Sequence, residues 1–381
     1  MKPINICHII TGLNRGGAEH MLVKLVSGMD RQRYRNTVIS MMGKGVYGSI
    51  LEHDLGIPLY TLGMKAGSMN MGMVFKLAHM IRSVRPDLLQ GWMYHGDIAA
   101  SVGRFVSRIR CPVLWNIRGT LSFENEKPLS RQIIRLHRYL DRSAAAIIYN
   151  SRVAARQHEE FGVDSCKTAI IPNGFDTDDF SPRPEAQQKL LQRLGVPATC
   201  LVLGLSARFH KMKDFETFLQ AASLVVSARQ NVVFVLTGTD VNLENAALAE
   251  MINDLGLQDR LHLLGDRADM QVIIAGLDCL CLSSAWGEGF PNVIGEAMSC
   301  GVPCVVTDVG DSASIVGPYG RVVPPRDPDA LAAGLLDIIG LSAAERTKMG
   351  NAAREKIIRE FALPAIVRRY ESLYESVVCG N

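Results

Sequence analysis

Residues 279–310 read CLCLSSAWGEGFPNVIGEAMSCGVPCVVTDVG, and the order of elements in this stretch decides the fold. The apolar run Cys279 to Leu282 leads into a glycine-rich loop. Pro291 and Asn292 then open a helix, and a second apolar run, Pro303 to Thr307, follows it. Strand, crossover helix and strand make one βαβ unit, which implies a parallel sheet. The same rhythm extends outward in both directions. Cys200 to Ser206, Val232 to Thr237 and Leu261 to Leu264 belong to the same sheet, and Ile4 to Ile10, Thr37 to Met41, Leu59 to Leu62, Leu88 to Gln90, Val113 to Ile117 and Ala145 to Tyr149 predict another. The expected fold class is α/β, with two Rossmann-like, doubly wound parallel-sheet domains.

A chain of 381 residues exceeds what one hydrophobic core organises. The stretch IIPNGFDTDDFSPRPE, residues 170–185, is where regular structure is least able to continue, so the boundary is placed near Ser181. The expected domains are residues 1–180 and 181–360. Residues 361–381 are expected to form a terminal helix with Ile366, Tyr370, Leu373 and Tyr374 on one side, packing back on the first domain.

No apolar run approaches the roughly 20 residues of a membrane helix, and MKPINICHII reads as a first strand rather than a leader. Nine scattered cysteines without a Cys-x-x-Cys pair read as buried free thiols in a reducing cytoplasm, with no metal site. The net charge of +3 conceals an asymmetry: residues 1–180 hold 23 Lys and Arg against 15 Asp and Glu, while the remainder holds 18 against 23. A basic first half calls for an anionic partner, a membrane surface or an acidic small molecule; no nucleic acid is expected.

Three loops carry chemistry. Glu288 and Glu296 lie eight residues apart around a Gly-Phe-Pro-Asn turn at a helix start. The helix N-terminus suits a phosphate and the carboxylates suit sugar or ribose hydroxyls, so the pair can grip both ends of a nucleotide sugar. In SARFHKMKDFETFLQAA, residues 206–222, Arg208 and Lys213 fall between a strand and a helix, where two cations can neutralise a departing diphosphate. In TGLNRGGAEH, residues 11–20, Gly16 and Gly17 allow close backbone approach to an anion. This is not the Gly-x-Gly-x-x-Gly fingerprint, which argues against a nicotinamide-dependent dehydrogenase.

The segment from Glu288 through Gly310 resembles the Glu-x7-Glu signature of retaining glycosyltransferases of family 4 with the GT-B fold, matching at Glu288, Gly289, Phe290, Pro291, Asn292, Glu296, Ala297, Gly301, Pro303, Thr307, Asp308 and Gly310. The resemblance implies two domains facing a cleft. It implies that Glu288 contacts the transferred sugar, Glu296 holds the ribose, the backbone of Phe290, Pro291, Asn292 and Val293 lines the sugar and diphosphate, and Arg208 and Lys213 bind the diphosphate. The Gly16–Gly17 loop would face the donor phosphates and the acceptor, and Gly265 and Arg267 of HLLGDRADM would pass the base. His95, followed by Asp97, lies at an acceptor-facing position. Arg118 stands where several relatives carry a histidine near the reacting sugar, which points to a negative group gripped by its fork.

The implied activity is transfer of a sugar, with retention, from a nucleoside diphosphate sugar to a glycan or lipid-linked acceptor. A UDP-sugar is the favoured donor, and no cofactor or metal is required, since no Asp-x-Asp sits at a strand end of the second half. The alternatives are a non-catalytic sugar-nucleotide-binding scaffold, or an epimerase or phosphorylase of the same fold. PLSRQIIRLHRYLDR, residues 128–142, reads as one helix whose Arg131, Arg135, Arg138 and Arg142 share a face. That face suits anionic lipid, giving a cytoplasmic protein held peripherally at the inner face of the cell membrane.

Overall fold

Strands covered on both faces need apolar residues at nearly every position, and the short unbroken runs of this chain supply them. The computed structural model describes residues 2–65, 70–121, 123 and 128–380. Its strands are β1 (Ile4–Ile10), β2 (Tyr34–Ser40), β3 (Leu59–Thr61), β4 (Leu88–Trp92), β5 (Val113–Ile117), β6 (Ala146–Tyr149), β7 (Thr168–Ile170), β8 (Leu201–Ser206), β9 (Val232–Thr237), β10 (Leu261–Gly265), β11 (Cys279–Leu282), β12 (Cys304–Thr307) and β13 (Gly320–Val323). They form a seven-stranded sheet, β3-β2-β1-β4-β5-β6-β7, and a six-stranded sheet, β10-β9-β8-β11-β12-β13. Every strand pair in both is parallel.

β7 and β13 have no counterpart among the strands expected from sequence. Both are edge strands of three or four residues, β13 only partly buried and β7 not fully buried at any position. They therefore lack the apolar run that marks a central strand.

The first unit comprises residues 1–174 and 363–381, and the second Phe175–Ala362. The first crossing thus falls between Gly174 and Phe175, ahead of the boundary expected near Ser181. The reason is Phe175. Its ring is fully buried, stacks on Phe290 with centroids 6.1 Å apart, and its N–H donates to Phe361 O at 2.9 Å. The latter half of the Pro-Gly-Asp-rich linker is therefore core of the second unit.

In the first unit, alternate residues of β1 serve opposite cores. Ile6 and Ile10 meet Leu22 and Leu25 of the helix Gly17–Gly28 together with Ile366, Tyr370 and Tyr374 of the terminal helix Leu363–Cys379. Cys7 and Ile9 meet Leu77 and Ile81 of the helix Met71–Val84 and Ala99 and Ala100 of the helix Met93–Ser107. The second unit repeats the plan. The helices Phe215–Ala228 and Pro328–Gly340 cover one face, and Ala186–Leu194 and Asn292–Ser299 the other.

Strand order reverses beside the first strand of each sheet, between β1 and β4 and between β8 and β11. Loops leaving the carboxyl ends of such neighbours diverge and open a crevice where α/β sheets bind ligands. Seven of the nine cysteines are buried; Cys166 and Cys379 are exposed.

Candidate active site

At the switch point of the second sheet, the loop after β8 carries Arg208 and Lys213 and the loop after β11 carries Glu288. The structure joins them: Lys213 Nζ donates to Glu288 Oε1, and Ser284 Oγ donates to the same oxygen at 2.5 Å. The backbone beneath is tied on both sides. Ser283 Oγ donates to Lys213 O at 2.7 Å, Ala285 N to Met212 O at 2.8 Å, and Thr307 Oγ1 to Ser284 O at 2.6 Å.

Two glycines make the geometry attainable. Gly310 has φ +62°, and a Cβ there would lie 2.1 Å from Glu288 O. Gly295, midway along the helix Asn292–Ser299, has no room for a Cβ because the Phe175 ring lies 2.1 Å from that position. Glu288 is only 7% exposed. The pair it forms with Lys213 is partly shielded from water, where charge is felt more strongly than at a surface.

The helix Asn292–Ser299 starts behind Pro291, whose ring makes no capping hydrogen bond. Glu296, half-buried, lies on this helix, as do Asn292 and Val293. Arg208 is exposed on the β8 loop. The same loop holds His210, whose Nδ1 accepts from Met212 N at 3.2 Å and whose basicity is lowered by desolvation and by Arg208 and Lys213.

Gly265 adopts φ +64° at the end of β10 and closes a backbone ladder with Gly238 and Val241. Arg267 pairs with a carboxylate two residues away. Its Nε and an NH2 group donate to the two oxygens of Asp269 at 2.8 and 3.0 Å, and Arg193 joins at 3.0 Å. This holds the Asp269 carboxyl down to about 2. The guanidinium pairs with that carboxylate, and the backbone of the loop lies beside it.

In the first unit, Gly16 caps and Gly17 begins the helix Gly17–Gly28, and the carboxylate of Glu19 folds back over Gly16. His95 is exposed in the first turn of Met93–Ser107, its basicity lowered by desolvation. Asp97 beside it is fully buried: Oδ1 accepts from Asn116 N at 3.1 Å and Oδ2 lies 3.1 Å from His137 Nε2. Burial drives that carboxyl up and His137 down to about 3. Asp97 therefore stitches the sheet to the helix Pro128–Leu140 rather than facing a ligand.

Arg118 lies just past the carboxyl end of β5. One NH group donates to Tyr370 OH at 2.8 Å and Asn116 Oδ1 at 3.0 Å, and the other donates to Asn173 Oδ1. The fork expected to grip an anionic group is engaged with three neutral oxygens. It ties the terminal helix and the end of the linker to the sheet, and its face lies 5.8 Å from Trp92.

The basic stripe is shorter than expected. The helix stops at Leu140 and Arg142 lies in the 3₁₀ turn Asp141–Ser143. Ile134 and His137 form the buried side, Leu136 and Tyr139 are exposed, and Arg138 lies over the rings of Tyr139 and Phe161. Arg135 is exposed and Arg131 half-buried. Ser283 and Ser284 were not singled out by sequence reasoning; their only signal is adjacency to the end of β11.

Comparison with known proteins matches residues 15–179 to the model described as Glycosyltransferase Family 4 and residues 200–340 to that described as Glycosyl transferases group 1. The chain is 26% identical over 324 residues to an Escherichia coli UDP-Gal:alpha-D-GlcNAc-diphosphoundecaprenol alpha-1,3-galactosyltransferase, covering 82% of this chain and 81% of that protein. It is 23% identical over 338 residues to the N-acetyl-alpha-D-glucosaminyl L-malate synthase of Bacillus anthracis, covering 87% and 86%. Among solved structures, Anabaena HepE in complex with UDP and glucose superimposes with a TM-score of 0.84 at 24% identity, over 97% of this chain and 99% of that one.

Proposed function

We propose that this chain, which belongs to glycosyltransferase family 4, transfers a sugar from UDP to the hydroxyl of a lipid-linked or polysaccharide-precursor acceptor, with retention and without a metal ion. The observation that carries the reading is the Lys213–Glu288 pair at the switch point of the second sheet. The ammonium and carboxylate paired here are the two groups a nucleotide sugar would draw apart, one for its diphosphate and one for its sugar hydroxyls.

On donor binding, Lys213 turns to the diphosphate beside Arg208, and the two cations stabilise the charge that builds as the glycosidic bond to phosphate breaks. The first-turn amides of the helix Asn292–Ser299 share that role, Glu296 takes the ribose, and Glu288 orients the sugar. With two cations on the leaving group, no divalent ion is needed.

UDP is favoured because the E. coli relative is named for UDP-Gal. An anionic acceptor is supported by the two relatives' names, one carrying a diphosphate and the other malate. Contact with an anionic membrane surface through Arg131, Arg135, Arg138 and Arg142 accords with the basic first half of the chain. The reaction is tested by incubating the protein with UDP-sugars and an undecaprenyl-diphosphate-linked sugar in EDTA and following UDP release and the anomeric configuration of the product. Release only with added metal, or an inverted product, would contradict the proposal.

A further inference from the structure

We infer that Ser284 is a positioning residue for the transfer reaction: it holds Glu288 Oε1 so that Oε2 is the oxygen presented to the donor sugar. The inference rests on the donor-site reading above. Ser284 is fully buried, and its hydroxyl donates to Glu288 Oε1 at 2.5 Å. A carboxylate only accepts, so the direction of this bond is fixed. Lys213 donates to the same oxygen.

Oε2 accepts from no described residue. Nor is it among the side-chain atoms sealed from solvent without a partner, which are Gln90 Nε2, Arg118 Nε, Tyr149 OH, Asn150 Oδ1, Thr237 Oγ1 and His262 Nε2. One carboxylate oxygen is thus doubly held, and the other is not sealed from solvent.

The two holders differ in permanence. Lys213 sits on a flexible stem and turns to the diphosphate when the donor binds. Ser284 cannot follow, because its backbone is fixed by Thr307 Oγ1 on its carbonyl at 2.6 Å and its neighbours by Ser283 Oγ on Lys213 O at 2.7 Å and Ala285 N on Met212 O at 2.8 Å. In the donor complex Ser284 is what keeps Oε1 turned inward. Without it the carboxylate can rotate or drift toward Lys213, and small misplacements of an orienting group cost large factors in rate.

The test is a double-mutant cycle on the full chain with Ser284→Ala and Glu288→Gln, reading kcat with a UDP-sugar and the Kd of UDP by calorimetry. Ser284→Ala alone is expected to lower kcat by about tenfold to a hundredfold while leaving the UDP Kd within about twofold, which also reports that the unit has folded. In the Glu288→Gln background the same change is expected to lower kcat by less than about twofold, since its effect runs through the carboxylate. An equal loss in both backgrounds, or no loss of kcat in the first, would overturn the inference and leave the donor site intact. Full activity of Glu288→Gln by itself would overturn the donor-site reading and this inference with it.

Discussion

Replacing Glu288 by Gln should separate donor binding from turnover in opposite directions. The side chains of Lys213 and Glu288 are 16% and 8% exposed, so their attraction is not a surface value. Unit charges about 4 Å apart at an effective dielectric near 20 attract by about 4 kcal/mol. Desolvation removes much of this, and a charge-assisted hydrogen bond is left with roughly 1.5–3 kcal/mol net.

UDP takes Lys213 but brings no sugar to replace it at Glu288, so the native protein forfeits this pair on binding UDP. The Gln variant forfeits only the weaker hydrogen bond from the ammonium to a neutral amide oxygen. If half of the pair's worth is recovered, on the order of 1.4 kcal/mol at most, UDP binds up to about tenfold more tightly. Turnover moves the other way, because an orienting carboxylate is gone from the reacting sugar, and a loss on the order of a hundredfold is expected. Calorimetry with UDP in EDTA and initial rates with the UDP-sugar measure the two arms. A UDP affinity that falls, together with unchanged turnover, would refute the idea that the pair is exchanged for the donor.

Glu296→Ala should weaken UDP by roughly tenfold or more, the value of a hydrogen bond to a charged group, and lower turnover with it; calorimetry decides, and an unchanged Kd would remove Glu296 from the ribose. Gly310→Ala puts a Cβ 2.1 Å from Glu288 O at φ +62°, so it should cost on the order of 1–3 kcal/mol in a denaturant melt and impair activity. Arg118→Ala should lower stability by roughly 1.5–3 kcal/mol through the lost bonds to Asn116, Asn173 and Tyr370, with KM for the acceptor little changed; a large rise in KM at native stability would restore the anion-fork reading. Acid should destabilise the first unit. Burial lowers His8, His20 and His158 to about 4 and His137 to about 3, so between pH 6.5 and 4 the unfolded chain binds protons that the folded one refuses. Stability therefore falls with pH, by up to about 1.4 kcal/mol per unit for each histidine. The raised Asp97 carboxyl works in the opposite sense and offsets part of this; melting temperatures at pH 7.5 and 5 read the balance, and equal values would contradict it.

Central strands were legible because parallel strands buried on both faces need unbroken apolar runs, and β1, β5, β9 and β11 begin and end where those runs do. Edge strands β7 and β13 were not, since half-exposed residues carry no such mark. Glu288 and Lys213 were found from their loops, but that they bind each other depends on residues 75 apart in sequence meeting at a switch point. The partners of Arg118 and Arg267 were not legible either. Nothing local distinguishes a guanidinium turned to a ligand from one turned to Tyr370 or Asp269. The boundary shifted for the same reason, because Phe175 belongs to the core around Phe290, which is distant in sequence.

Binding of a nucleotide sugar by the second unit through Lys213 and its neighbours without a metal is decided by calorimetry against UDP, GDP and ADP in EDTA, with Lys213→Ala alongside. The native protein is expected to bind UDP saturably, and the variant about tenfold or more weakly. Binding that requires a divalent ion, or UDP binding indifferent to the loss of Lys213, would contradict it.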